Sequence, residues 1–309
     1  MSAGTVLLVE QSLNGLQFGI MLFLMAAGLT LVFGVMNVVN LAHGSLYMVG
    51  AYLCASVFAA SGSFLLGVST GIAGATLVGI LFEVTVFRRI YDGDHLDHVL
   101  ATFGLTLICN EVVRMIWGPT ALFAAVPQGL AGQVQLMPGL SYPAYRLAII
   151  VVGLMVAGLL YVLVNRTRLG MVIRASASNR TMAAALGVND VVLYTIVFGL
   201  GAALAGLSGL MAAPVFAVTP GMGDNVLILS FVVVVIGGIG SVRGAFLAAL
   251  LIGFVDTFGR AFLRPLLASL FAGNVADNAA PAMASLLIYA LMAVVLFFRP
   301  QGLFPPRTR

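Results

Sequence analysis

Asn37, Asn40 and His43 are the side chains best placed to act on a solute, recurring every third residue inside the apolar stretch GLTLVFGVMNVVNLAHGSLYMVGAY, residues 28–52. On a helix or at a helix end this spacing turns the three toward roughly one side. Amides and an imidazole near hydrocarbon must be hydrogen-bonded or stand beside water. Two readings fit. In one, a break between helices frees backbone groups and polar side chains to line a solute path. In the other, the three tie two helices together as a structural knot. Asp256, near the middle of its own apolar span and four residues before Arg260, is a further pathway candidate that either pairs internally or lines a cavity.

Other chemistries leave weaker traces. Glu83 and Asp256 are the carboxylates that an ion-coupled transporter would use as a proton or sodium site, whereas Glu111 has Arg114 one turn beyond it and reads as an anchoring pair. Ser208 lies in GLSGL, which contains the G-x-S-G pattern of rhomboid proteases. That serine needs a histidine base on a later helix, and His43 comes earlier in the chain. The run Gly237-Gly238-Ile239-Gly240-Ser241 has Arg243 where a dinucleotide loop needs glycine, so it reads as a tight turn between helices. His95 and His98 stand beside Asp92, Asp94 and Asp97 in a polar loop. Cys54 and Cys109 lie in apolar segments without metal-ligand spacing to a histidine, so they read as small hydrophobes and no metal site is expected.

The elements that must position these groups are set by composition. Hydrophobic residues make up 61% of the 309 and charged residues 8%, which a water-facing domain of this size does not tolerate. The chain is therefore an integral membrane protein in contact with the lipid bilayer. All 14 basic residues are arginine. Without lysine there is no G-x-x-x-x-G-K-[ST] phosphate loop, and no Schiff-base attachment of retinal or pyridoxal. Nucleotide chemistry must then belong to another polypeptide, and this chain is expected to hold no cofactor. No basic cluster interleaves with aromatics, so nucleic acid is not an expected partner.

Apolar runs predict an all-α, polytopic membrane helix bundle of about eight or nine transmembrane helices, over residues 13–36, 44–60, 65–87, 99–117, 147–164, 191–218, 226–239, 245–260 and 281–298. A re-entrant or broken helix is expected near Asn37–Gly44. There is no room for a second domain, so residues 1–309 read as one. The start lacks a positive n-region, which predicts a retained first helix. Arg88 and Arg89, the arginines of residues 166–190, and Arg299, Arg307 and Arg309 mark cytoplasmic segments. Counting spans back from Arg88 places the N-terminus outside and the C-terminus inside. Residues 118–145, without a charge and with four prolines, suit an ordered external loop. Small residues at four-residue spacing, Gly67-Gly71-Ala75-Gly79, Gly201-Ala205-Gly209 and Gly240-Gly244-Ala248, predict close helix packing.

One segment is too polar for the bilayer and too organised for a tether: NRTRLGMVIRASASNRTMAAALGVND, residues 165–190, with Arg166, Arg168, Arg174 and Arg180. Ser178 or Asn179 can cap a short amphipathic helix there and Gly187 can end it.

The stretches quoted for residues 28–52 and 167–190, together with FVVVVIGGIGSVRGAFLAALLIG and FFRPQGLF, cover most of the chain. In that order they resemble the LivH-type permease subunits of bacterial ABC importers for branched-chain amino acids. Relatives of that family also move urea, short amides and aromatic carboxylates. The resemblance implies a multi-pass protein of the bacterial inner membrane that is not itself an enzyme. It implies a second related permease, two cytoplasmic ATPases that carry ATP and Mg, and a periplasmic solute-binding protein. It also implies that residues 166–190 form the coupling loop seated on an ATPase, with Met182 and Leu186 as apolar anchors, Arg174 and Arg180 at the rim, and Gly187 ending the helix.

Overall fold

In hydrocarbon each backbone N–H and C=O must find its partner within the chain. The computed structural model meets that demand with eleven helices among its described residues, 3–91, 93–270 and 273–304. Asp92, Arg307 and Arg309 lie outside the described residues. The helices are α1 (Ala3–Met36), α2 (His43–Ser61), α3 (Phe64–Ile90, whose Glu83–Phe87 turn is a π-helix), α4 (His95–Trp117), α5 (Ala144–Arg166), α6 (Arg168–Ser178), α7 (Arg180–Ala185), α8 (Asp190–Ala212), α9 (Met222–Gly237), α10 (Val242–Ala268) and α11 (Gly273–Phe298). Eight are long and apolar enough to cross a membrane, and α9 is a shorter apolar helix of 16 residues.

Helix α1 is the central post, with residues such as Ile20, Phe23, Leu24, Ala27 and Val32 almost wholly buried. The glycine ladder of α3 packs as its spacing demands. Gly67, Gly71, Ala75 and Gly79 form its buried face, Gly67 and Gly71 against α2 and Ala75 and Gly79 against α8. On α8, Gly209 rests on the Tyr47 backbone so closely that a Cβ would collide with the Tyr47 carbonyl, while Gly201 and Gly28 bring α8 and α1 together. The third ladder is only partly helical. Gly240 precedes α10 at φ 80°, within the tight turn expected of the glycine-rich run, and Gly244 presses on Gly237.

The architecture repeats with inverted direction. Helices α1 to α4 begin at residues 3, 43, 64 and 95, and α8 to α11 at 190, 222, 242 and 273, with matching breaks after Met36 and Ala212. Helices α1 and α8 run antiparallel, Ser208 against Met21 and Gly201 against Gly28. The short-lead helices α2 and α9 meet N-terminus to N-terminus, where the Gly44 and Gly223 backbones touch. Inverted repeats of this kind place half-helices opposite one another near the bilayer middle.

Several expected boundaries shift. The span expected over 191–218 ends at Ala212, because the chain turns back through Pro214 and Val218 pairs with Leu122 in an isolated bridge. Helix α10 continues past Arg260 through Pro265, and α11 begins eight residues before Pro281. Apolar lengths cannot register such extensions, since prolines and arginines near a span end are tolerated where backbone groups are satisfied locally. Residues 118–145 are ordered, as expected, but contain an unforeseen antiparallel hairpin, β1 (Gln133–Met137) with β2 (Leu140–Pro143), turning through Pro138 and Gly139 at φ 89°. Tyr142 and Arg146 both donate to Asn14 Oδ1, at 3.0 and 2.8 Å, and so tie this loop to α1. Burial, with the nearby Arg146 acting in the opposite sense, raises the Tyr142 phenol above its ordinary range.

Candidate functional site

The break between α1 and α2 exists, and it divides the three polar residues that helical spacing placed on one side. Helix α1 ends when Asn37 takes φ 54°, a left-handed conformation that asparagine tolerates better than most residues. Residues 37–42 then run outside any helix before α2 starts at His43. Because this stretch is not helical, three-residue spacing no longer means a common face, and that expectation is corrected. Asn37 is exposed, whereas Asn40 and His43 are fully buried. His43 lies against Gly28 of α1 and faces the Met25 carbonyl without a well-formed hydrogen bond, and the Asn40 side-chain amide has no partner among the described residues. Asp256 joins neither group. Its carboxylate holds Arg260 Nε through both oxygens at 2.9 Å, an internal pair on α10, and it lines neither of the cavities beside α1.

Asn37 opens onto two adjoining cavities of about 560 and 930 Å³ at the arginine-rich end of the bundle. Gly34, Val35, Asn37, Ala177 and Ser178 border both, so the end of α1 and the end of α6 form the partition. The smaller also has His98 and Ser176, each more than nine-tenths buried and with no side-chain hydrogen-bond partner among the described residues. The larger is bordered by Arg174, Arg243 and Arg299.

The arginine-bearing segment folds as two helices rather than one. Thr167 caps α6 by accepting from the Gly170 amide, and Asn179 caps α7 by accepting from the Met182 amide at 2.9 Å, deciding between the two candidate caps. The helicity of residues 168–178 was not anticipated. Gly187, at φ 92°, closes α7. Met182 and Leu186 project outward, 59% and 80% exposed, while Ala183 faces inward at 3%. Arg174 is exposed, but Arg180 turns back on its own fold: it holds Asp190 at 3.0 Å and lies over the Tyr194 ring at 5.1 Å.

That contact leads to a cluster the residue pattern concealed. Tyr194 packs edge-on against Tyr91, which donates to Glu83 Oε1 at 2.8 Å. Glu83 also receives Arg88 Nε at 3.0 Å and the Thr195 hydroxyl at 2.8 Å. Burial, reinforced by the bond to Glu83, holds the Tyr91 phenol protonated well above its ordinary range. The carboxylate stands on the π-turn of α3, a local irregularity often found where function bends a helix. The readable signal was Glu83 five residues before Arg88, a spacing that an α-helix does not bring together but a π-turn does. Both carboxylates proposed for an ion-coupled mechanism, Glu83 and Asp256, are thus neutralised by arginine and offer no vacant cation site. Ser208 donates to the Met21 carbonyl at 2.8 Å, so its hydroxyl serves helix packing and has no histidine beside it to act as base. Glu111 and Arg114 pair at 3.1 Å on the surface, as their spacing predicted.

A family model described as "Branched-chain amino acid transport system / permease component" matches residues 11–296. The chain is 29% identical over 309 residues to the high-affinity branched-chain amino acid transport system permease protein BraD of Pseudomonas aeruginosa, covering 96% of this chain and 95% of that one. It is 26% identical over 279 residues to the corresponding permease LivH of Escherichia coli, covering 85% and 89%. A probable branched-chain amino acid transport permease of Methanocaldococcus jannaschii is 27% identical over 250 residues, covering 77% and 76%. No solved structure gives a significant match.

Proposed function

The chain belongs to the family of permease components of branched-chain amino acid transport systems, and from that premise we propose that it is the translocation subunit of an ATP-driven importer. It is a multi-pass membrane protein of a transport complex. In this reading it pairs with a second, related permease in the bacterial inner membrane and receives a branched-chain amino acid or related small polar solute from a periplasmic binding protein. Two cytoplasmic ATPases, holding ATP and Mg, supply the work. The N-terminus faces the periplasm and the C-terminus the cytoplasm.

The observation that carries the proposal is α7. Its Met182 and Leu186 stand out from the protein on a capped helix whose other face is pinned by Ala183, Arg180 and Asp190. An apolar pair on a short, fixed helix suits insertion into a groove of a partner. A chain without lysine cannot form the phosphate loop of a P-loop ATPase, so its motor must dock from outside. When the ATPases close on ATP, α7 moves with them, and the ring contact from Tyr194 to Tyr91 carries that movement to the π-turn of α3. The ATPases shift the permease between outward and inward states only by binding α7 differently in the two.

The test is Leu186→Arg in the complete complex. A charge at an apolar anchor costs such an interface about 2 kcal/mol or more, so ATPase co-purification falls and solute uptake is lost while the permease remains folded. Unchanged assembly and uptake would refute the assignment.

A further inference from the structure

Several carboxylates of the helices are held by arginine, and one in the shorter apolar helix α9, which neither the break nor the coupling segment uses, is not. Glu83 is held by Arg88 at 3.0 Å, Glu111 by Arg114 at 3.1 Å, Asp256 by Arg260 at 2.9 Å and Asp277 by Arg264 at 2.7 Å. Asp224, in the first turn of α9, forms no ion pair among the described residues. Its polar neighbour is the Asn110 amide of α4.

Its depth makes this unusual. At the contact between α2 and α9, Gly44 lies 17 residues before the end of α2 at Ser61, and Gly223 lies 14 before the end of α9 at Gly237. At 1.5 Å per residue those arms reach about 25 and 21 Å toward opposite ends, which puts Asp224 near the middle of the bilayer. Yet Asp224 and Asn225 are exposed on the surface of this chain. Ser45, which holds the equivalent place in α2, is 2% exposed and covered by Cys109 of α4. A carboxylate exposed to lipid at mid-depth is untenable, so this face must border water or a partner.

We infer that Asp224, with Asn110 and Asn225, is a binding point on the solute path for the ammonium group of a zwitterionic amino acid. One carboxylate and two amides supply too few oxygens for a hard divalent cation, which takes six or more. They do match both ends of a zwitterion, the carboxylate accepting from the ammonium and the amide N–H groups donating to the solute carboxylate. Ile228, one turn below Asp224 on the same face and 50% exposed, offers an apolar wall for an aliphatic side chain. The inference rests on the importer reading and identifies the solute class at its path.

The test uses the whole complex in liposomes, with radiolabelled leucine as the probe. Wild type takes up leucine in an ATP-dependent manner. Asp224→Asn lowers that rate about tenfold or more, as expected for loss of a charged hydrogen bond, whereas Asp224→Glu stays within about threefold. In a background carrying Cys54→Ala and Cys109→Ala, which keeps Asp224, Ile228→Cys reacts with a membrane-impermeant cationic thiosulfonate, and millimolar leucine slows the reaction; a rate unchanged by leucine would overturn the inference. No leucine uptake by wild type would overturn the substrate reading of the importer itself. Wild-type uptake matched by Asp224→Asn would overturn only the present inference. So would Asp224→Asn dispersing the subunits, which would mean that Asp224 pairs with a basic group of the second permease.

Discussion

The two inverted halves share a backbone plan but divide their chemistry unequally. Where α2 begins, His43 and Ser45 are buried; where α9 begins, Asp224 and Asn225 are exposed. In α3 the chain bends at a π-turn whose Glu83 gathers three donors, while the corresponding stretch of α10 contains Pro265 and carries its carboxylate, Asp256, on a single arginine. What the halves keep in common is glycine at the contact points, Gly44 against Gly223. What they do not share is the polar equipment around them. Close approach is a geometric requirement that both halves must meet, whereas polar groups answer to different neighbours: the arginine-bearing helices α6 and α7 on one side, the exposed face of α9 on the other.

Substitution can break this comparison at its strongest point. Gly209→Leu or Gly223→Leu puts a side chain into the Tyr47 or Gly44 backbone. We expect loss of about 3 kcal/mol of stability, the upper end for overpacking, since backbone cannot yield as side chains do. Size-exclusion profiles and melting in detergent measure it, and native-like melting would mean that the halves do not meet as described. The next effect sharpens the asymmetry. Glu83→Ala strips three donors of their acceptor and lowers the melting temperature by several degrees, more than Asp256→Ala, which frees one arginine; equal shifts would remove the distinction between the two carboxylates. Pro265→Ala changes stability by no more than about 1 kcal/mol, because α10 already accommodates the missing N–H. Smallest is Arg180→Ala, whose partly exposed pair with Asp190 contributes about 0.5 kcal/mol. Its signature is faster amide exchange across residues 180–190 with global melting unchanged.

Much of the fold was legible because hydrophobic runs and four-residue glycine spacing are local properties of the chain. The α3 ladder followed from helical periodicity, and the short helix capped by Asn179 followed from capping chemistry. The candidate site was only half legible. Asn37, Asn40 and His43 were correctly placed at a break, but a break removes the periodicity that would have aligned them. Glu83 was visible as a carboxylate, yet its partners Tyr91 and Thr195 come from separate elements, and a π-turn leaves no mark in hydropathy. The hairpin of residues 133–143 escaped notice because a polar loop and a two-stranded ribbon look alike in a chain dominated by helices.

By itself the amino-acid sequence determined the solvent and the helical class, and excluded a phosphate loop of its own: 61% hydrophobic composition demands a bilayer, and a chain without lysine cannot form a G-x-x-x-x-G-K-[ST] loop. Only the tertiary structure decided which polar groups meet. It sealed Asn40 and His43 against α1, turned Asn37 toward a cavity, gave Glu83 its three donors and left Asp224 uncovered at mid-depth. The physical reason is that burial in a membrane bundle is set by which helix faces which. That depends on where backbones approach closely enough to exclude everything else.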